Sequence, residues 1–345
     1  MTTVQTVLGP IKGEEMGFTL THEHIFVDLS YYWSGEAKEI TRRKQYSQPV
    51  SLENRAEVVY NPWAYRDNTI LDDMDSAIQE VRAFVGHGGR TIVDVTATAA
   101  MGRDPQALRY VSALTGANII MSAGRYSDAS IHNEERNISV EELEERILDE
   151  FENGVDGTGI KPGVVKVAIN DLNNPVELVS LRAGARAQKK IGCAMVCHSL
   201  IWSKDNHQVL DMLEEEGVDL RRVVLAHQDF TAEDWAYQDS LVKRGVNIEY
   251  DTFGCESGAD PADVNVWFRS DGEKIRYVQK QIELGNLEHI LLSGDMCLKI
   301  FFTRWGGWGY AHLPKHIVPR MLSAGIHPEQ IHQMTALNPQ RVFSH

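Results

Sequence analysis

Eight short apolar or β-branched runs alternate with amphipathic helical patterns along this chain, and that alternation narrows the folds open to it. The strand runs are residues 18–24, 91–96, 118–123, 164–168, 194–198, 222–227, 247–250 and 289–292. Between them, apolar residues three and four apart predict helices over 71–85, 105–114, 140–151, 175–188, 206–216, 232–244 and 272–283. Gly86, Gly88 and Gly89 supply a stop after the first helix, and Gly245 one before the seventh strand. Strands alternating with helices predict parallel βαβ units. Eight such units, with no glycine-rich dinucleotide fingerprint after the first strand, predict a closed (β/α)8 TIM barrel rather than an open doubly wound sheet.

Two stretches fall outside this scheme. Residues 1–17, with turn signals at Gly9-Pro10 and Gly13, predict a small N-terminal hairpin over the barrel bottom. Residues 31–68 are polar, rich in aromatics and lack a clear period, which predicts a long loop with room for a short helix at the C-terminal mouth. Loops of that length are commonly functional, and Tyr31, Tyr32, Trp33, Trp63 and Tyr65 point to an ordered wall. With no repeat, linker or low-complexity segment, residues 1–345 read as one domain.

The net charge of −15 argues against nucleic acid and anionic membrane as partners, because both attract basic surfaces. Acidic runs such as Glu141–Glu145 and Glu214–Glu216 read as solvated helix faces. No apolar run approaches the roughly 20 residues of a membrane span. Four scattered cysteines (Cys193, Cys197, Cys255, Cys297) do not make a disulfide framework. The first residues lack a basic region followed by an apolar stretch, and a cytoplasmic location is expected.

In a barrel of this kind the active site lies at the C-terminal ends of the strands. Those ends carry His22 and His24, then Lys166, His198, His227 and Asp295. His22 and His24 are two apart on a strand and share a face, as two imidazoles gripping one metal must. The interval from Lys166 to His198, and from His198 to His227, each matches one βα unit; that from His227 to Asp295 matches two. Each residue alone has a plainer reading: polar residues at a strand end, satisfied core histidines, an aspartate capping a helix. Lys166, a cation inside an apolar strand, is costly to bury unpaired. It can be a paired lysine, a Schiff-base former or, beside four histidines, an amine that takes up carbon dioxide to give an anionic, bridging carbamate.

Thr21-His22-Glu23-His24, Gly163-Val164-Val165-Lys166-Val167-Ala168, Cys197-His198, Ala226-His227, Ser293-Gly294-Asp295 and Asn338-Pro339-Gln340-Arg341-Val342-Phe343 together resemble the phosphotriesterase-like branch of the amidohydrolase superfamily over nearly the whole chain. The resemblance implies two divalent metal ions, zinc first with manganese, iron or cobalt also suited. By position, His22, His24 and Asp295 would hold the buried metal and His198 and His227 the exposed one. Lys166, as its carbamate, would bridge them beside a hydroxide, and Asp295 would pass the proton of that nucleophile to the leaving group.

Two departures bear on substrate. Asp251-Thr252-Phe253-Gly254 places Thr252 where phosphotriesterases proper use a relay histidine. The segment Arg304-Trp305-Gly306-Gly307-Trp308-Gly309-Tyr310-Ala311-His312 is similar to the phosphotriesterase-related subgroup, whose members act on carboxyl derivatives including some N-acyl amides. Trp33, Trp63, Tyr65, Asp251, Trp305, Trp308 and Tyr310 are the expected pocket residues. The expectation is a binuclear metal-dependent hydrolase of a lactone, carboxyl ester or amide, with a small-molecule substrate and a homodimeric assembly. A phosphotriesterase is the alternative. A mononuclear amidohydrolase such as a nucleobase deaminase does not need Lys166, and a non-catalytic barrel would be expected to have lost ligands.

Overall fold

In the computed structural model, which describes residues 2–345, strands β1 (Thr3–Thr6) and β2 (Gly9–Lys12) form an antiparallel hairpin turned at Val7-Leu8, with Gly9 (φ 119°) opening the return strand. The barrel begins with β3 (Thr19–Glu23). A short pair, β4 (Val27–Asp28) and β5 (Ile70–Leu71), then brackets the long excursion, antiparallel to one another. The remaining strands are β6 (Thr91–Asp94), β7 (Asn118–Arg125), β8 (Val164–Ile169), β9 (Ala194–Ser199), β10 (Val223–Leu225), β11 (Asn247–Tyr250) and β12 (Ile290–Leu292). From β3 through β6 to β12 they pair in sequence order, each parallel to its neighbour. Almost every residue of these eight strands is buried, as expected when helices cover a parallel sheet.

The seam between β12 and β3 is closed largely by side chains. The Ser293 hydroxyl accepts from the His22 N–H at 3.0 Å and lies 2.8 Å from Glu23 Oε1. The Thr21 hydroxyl donates to the Leu292 carbonyl at 3.3 Å, and the Asp295 N–H to the His22 carbonyl at 3.2 Å. The first and last strands are therefore locked together at His22 and Asp295.

Helices α1 (Ile40–Tyr46) and α2 (Arg55–Tyr60) lie inside the long segment, two short helices where the sequence suggested one. The outer helices are α3 (Met74–Gly86), α4 (Pro105–Thr115), α5 (Val140–Asn153), α6 (Pro175–Ile191), α7 (Asn206–Glu216), α8 (Trp235–Val242) and α9 (Asp271–Glu283). The first starts three residues later than its periodicity predicts because Asp73 accepts from the Ser76 N–H at 2.6 Å and caps it. Asp234 likewise caps α8 at the Tyr237 N–H, 3.1 Å away. Three short helices finish the chain: α10 (Val318–Ser323), α11 (Pro328–His332) and α12 (Asn338–Phe343).

Inside the barrel, Val93, Ile120, Val164, Val196, Val224 and Leu291 form one apolar cluster with Val4, Met16, Val342 and Phe343. The hairpin and α12 thus close the lower end, with the Val7 N–H bonded to the Ile119 carbonyl at 2.9 Å. The upper end is left for polar groups. Among the described residues, no helix is long and apolar enough to cross a membrane.

Candidate metal centre

All six residues picked out at the strand ends converge at the upper end of the barrel. His22 lies on β3 with His24 just beyond it, Lys166 on β8, His198 on β9, His227 just past β10, and Asp295 just past β12. The rings of His22 and His227 have centroids 4.8 Å apart, and those of His198 and His227 4.6 Å. Lys166 Nζ is 3.2 Å from His22 Nε2, and His24 Nε2 is 3.5 Å from Asp295 Oδ1.

Local backbone puts them there. His227 (φ 59°) and Asp295 (φ 44°) are two of only three described non-glycine residues with positive φ. That conformation is uncommon for side chains with a Cβ and concentrates at functional sites. Asp251 holds His227 in it, accepting the His227 N–H at 2.9 Å and facing its Nδ1 at 3.0 Å. At Gly124, opposite Lys166 in the register, a Cβ would lie 2.0 Å from the Lys166 carbonyl oxygen; only glycine lets β7 and β8 approach so closely.

A shell of partners orients the imidazoles. His22 Nδ1 lies 2.9 Å from Glu249 and 3.2 Å from Asp251. His24 Nδ1 is 2.8 Å from the Thr96 hydroxyl, and the Tyr310 hydroxyl donates to the His24 carbonyl at 2.7 Å. His198 faces the Tyr126 hydroxyl through Nδ1 and Asn170 Oδ1 through Nε2, each at 3.0 Å. Glu23, between the two first histidines in sequence, points the other way and accepts from the N–H groups of Gly294 and Met296.

The electrostatics are those of a crowded, dry site. Burial pushes Lys166 below its ordinary 10.5, towards the neutral amine. Burial and neighbouring cations hold His24 and His198 well below the usual imidazole range. Burial and Lys166 also press His22 down, but Asp251 and Glu249 outweigh them and hold it at about 9. Burial pushes Asp251 up, yet His227 and His22 keep it well below the usual carboxylate range. Glu23 and Asp229, buried with less compensation, are each pushed up to about 8.

This donor set fits divalent cations. Four imidazoles and a carboxylate meet in one place, and Asp295 Oδ1 is buried with no hydrogen-bond partner. Glu249, Asp251 and Asp295 lie around the buried Lys166 amine, an excess of acid that bound positive charge would offset. Two groupings, His22, His227 and Asp295 and again His22, Glu249 and Asp251, each bring their ligand atoms within 4.8 Å of one another. The first takes one member from the set that the resemblance gives to the exposed metal. His22 is common to both groupings.

Above the metal-ligand candidates lies a cavity of about 180 Å³. Of the seven expected pocket residues, only Trp63 lines it. Trp33 turns away and donates to the Ala64 carbonyl at 2.8 Å; Tyr65 is buried, with its hydroxyl accepting from Gln45. Asp251 lies beneath the histidines rather than on the wall. Trp305 packs beside Lys299 and Phe302, Trp308 stacks on His312 in an exposed position, and Tyr310 supports the His24 backbone. Tyr32, expected in the ordered wall of residues 31–68, does line it, and the rest of the aromatic wall comes from Tyr126, Trp202, Phe230 and Phe268 in loops after β7, β9, β10 and β11. Sequence reasoning also passed over Glu249. Its signal was present: an acid inside Asn247-Ile248-Glu249-Tyr250, as anomalous as Lys166 in its own strand.

Comparison with known proteins agrees with this geometry. Residues 2–343 match the model of the phosphotriesterase family. An N-acetyltaurine hydrolase from Xenopus tropicalis is 33% identical over 98% of this chain and 97% of its own length. Among solved structures, a resiniferatoxin-binding protein from Rhodobacter sphaeroides superposes with a TM-score of 0.93 at 36% identity, covering 99% of this chain and 94% of that one. A lactonase from Listeria monocytogenes gives 0.78 at 25% identity, covering 99% and 98%. The eight-stranded barrel, the ligand candidates at its upper end and these matches lead to one conclusion: the chain belongs to the phosphotriesterase family.

Proposed function

We propose that this chain is a metal-dependent hydrolase of carboxyl derivatives, acting on an amide, ester or lactone carbonyl. The observation that carries the reading is Asp295: a carboxylate with a buried, unpartnered oxygen, ringed by His22, His24 and His227 and open to the cavity. The relatives lend the bond class, since one is named for hydrolysing N-acetyltaurine and another as a lactonase.

His22, His24, His198, His227 and Asp295, together with Lys166 after carbamate formation, would hold two divalent ions, most simply zinc. Burial favours that step, because only the neutral amine attacks carbon dioxide. When bound, such ions polarise the substrate carbonyl and lower the pKa of water. Asp295 takes the proton from the attacking water and delivers it to the departing oxygen or nitrogen. Asp251 and Glu249 keep His227 and His22 in fixed tautomers, each accepting from Nδ1 so that Nε2 is left as donor atom. The Tyr126 hydroxyl, held in its protonated form by burial, lies 3.0 Å from His198 Nδ1 at the cavity wall and orients that ring.

The test is elemental analysis of the purified protein together with a panel of lactones, aryl esters and N-acyl amides. Two ions per chain and chelator-sensitive turnover support the reading. One ion would favour a mononuclear amidohydrolase, and none a non-catalytic barrel.

A further inference from the structure

The cavity wall carries a second message, resting on the hydrolase reading above. Trp202, Phe230 and Phe268 form a continuous aromatic run, with Trp202 and Phe230 centroids 4.7 Å apart and Phe230 and Phe268 5.7 Å. Tyr32 and Trp63 make a further aromatic pair on the wall, 5.9 Å apart in an edge-to-face arrangement. Trp202 is 53% exposed although it lines the cavity. A large indole left open to water at the mouth gains by being covered with an apolar ligand group.

No lysine or arginine lines the cavity among the described residues. The cations beside Tyr126, Trp202 and Phe268 in sequence are already engaged: Arg125 donates to the Ser180 hydroxyl at 2.7 Å, Lys204 pairs with Asp234 at 2.5 Å and Arg269 with Glu233 at 3.1 Å. The one charged side chain on the wall away from the metal-ligand candidates is acidic, Asp260. A sulfonate or carboxylate tail entering this space would shed water without meeting a cation, which is unfavourable.

We infer that the substrate is a neutral carboxyl ester or amide with an aromatic or similarly bulky apolar tail, seated between the Trp202–Phe230–Phe268 run and the Tyr32–Trp63 pair. The chain would then share the amide-hydrolysing bond class of its N-acetyltaurine-hydrolase relatives but not the anionic tail which that name implies.

Two acetamides separate these possibilities, because they carry the same scissile group. Binding of N-benzylacetamide and of N-acetyltaurine to the metal-loaded protein is measured by calorimetry, and acetate release from each is followed in parallel. The benzyl amide should bind at least about tenfold more tightly, the scale expected for covering one phenyl ring. Trp202→Ala and Phe230→Ala should each narrow that ratio; Trp202 is exposed enough that its loss spares the fold. Equal or tighter binding of N-acetyltaurine, an unchanged ratio in both variants, or no binding of the benzyl amide at millimolar concentration would overturn the assignment. Acetate release from neither compound, with the binding ratio intact, would instead remove the hydrolase reading and leave the apolar site standing.

Discussion

Glu249 accepts from His22 at 2.9 Å through a contact sealed from solvent on both sides, the two side chains being 0% and 1% exposed. A carboxylate behind a ligand imidazole fixes which nitrogen carries the proton and raises the basicity of the other. Glu249→Gln keeps the shape and removes the charge. Its metal dissociation constant, measured by chelator competition, should rise about 10- to 100-fold with the far-ultraviolet dichroism unchanged. Unaltered affinity would mean that Asp251, 3.2 Å from the same nitrogen, orients His22 alone.

The strand framework was legible because burial on both faces leaves uninterrupted apolar runs, and the histidines stood out at their ends. Lys166 was legible for the same reason as Glu249 should have been: a charge inside such a run needs an explanation. The pocket was legible only at Tyr32 and Trp63. Trp33, Tyr65 and Trp305 lie in segments with no period, and nothing local says whether an aromatic side chain turns inward or packs on the rim. Phe230 and Trp202 follow β10 and β9 closely, so counting a few residues past each strand end would have found them better than counting aromatics in the longest loops.

Lys166 offers a test of the bridging role. Lys166→Ala should lose one or both ions and most activity, because the neighbouring histidines lose their shared anion. A short-chain carboxylic acid added to the variant should restore part of both. Full metal content in the variant would end the two-ion reading.

Asp295→Asn separates proton transfer from metal holding. An amide oxygen still reaches the site but accepts no proton under these conditions. The expected loss in kcat is about 10²- to 10⁴-fold, with a much smaller loss of bound metal. Normal turnover would require another base, and Asp251, buried against two histidines, would be the first to examine.

The metal-free protein should be less stable at pH 9 than at pH 7. Glu23 and Asp229 have folded pKa values of about 8, above their unfolded ones, and His22 sits at about 9 against 6.5. Each therefore contributes stability that is full below its unfolded pKa and lost as pH rises through its folded value. Lys166, pushed down by burial, acts in the opposite sense, as one group against three. Thermal melts of chelated protein should show Tm falling across this interval, and bound divalent metal should flatten the trend by stabilising the ionised acids. A Tm that climbs with pH in the chelated protein would contradict this assignment of charges.

Substrate preference turns on Thr252, which the resemblance places where phosphotriesterases proper use a histidine to relay protons. Here Thr252 is fully buried, its hydroxyl has no partner, and its carbonyl is taken by Lys274. A threonine hydroxyl does not titrate near neutrality, so it cannot stand in for an imidazole. A phosphotriester also brings three ester arms into a cavity of about 180 Å³ whose aromatic run lies along one side. A planar carbonyl asks for less: one attacking water, the Asp295 proton shuttle and a slot for one tail. The best ester, amide or lactone should therefore exceed a paraoxon-like triester in kcat/KM on the same metal-loaded preparation. Thr252→His should shift the ratio towards the triester if the missing relay is the cause. A wild-type preference for the triester would overturn the carboxyl assignment without touching the metal centre.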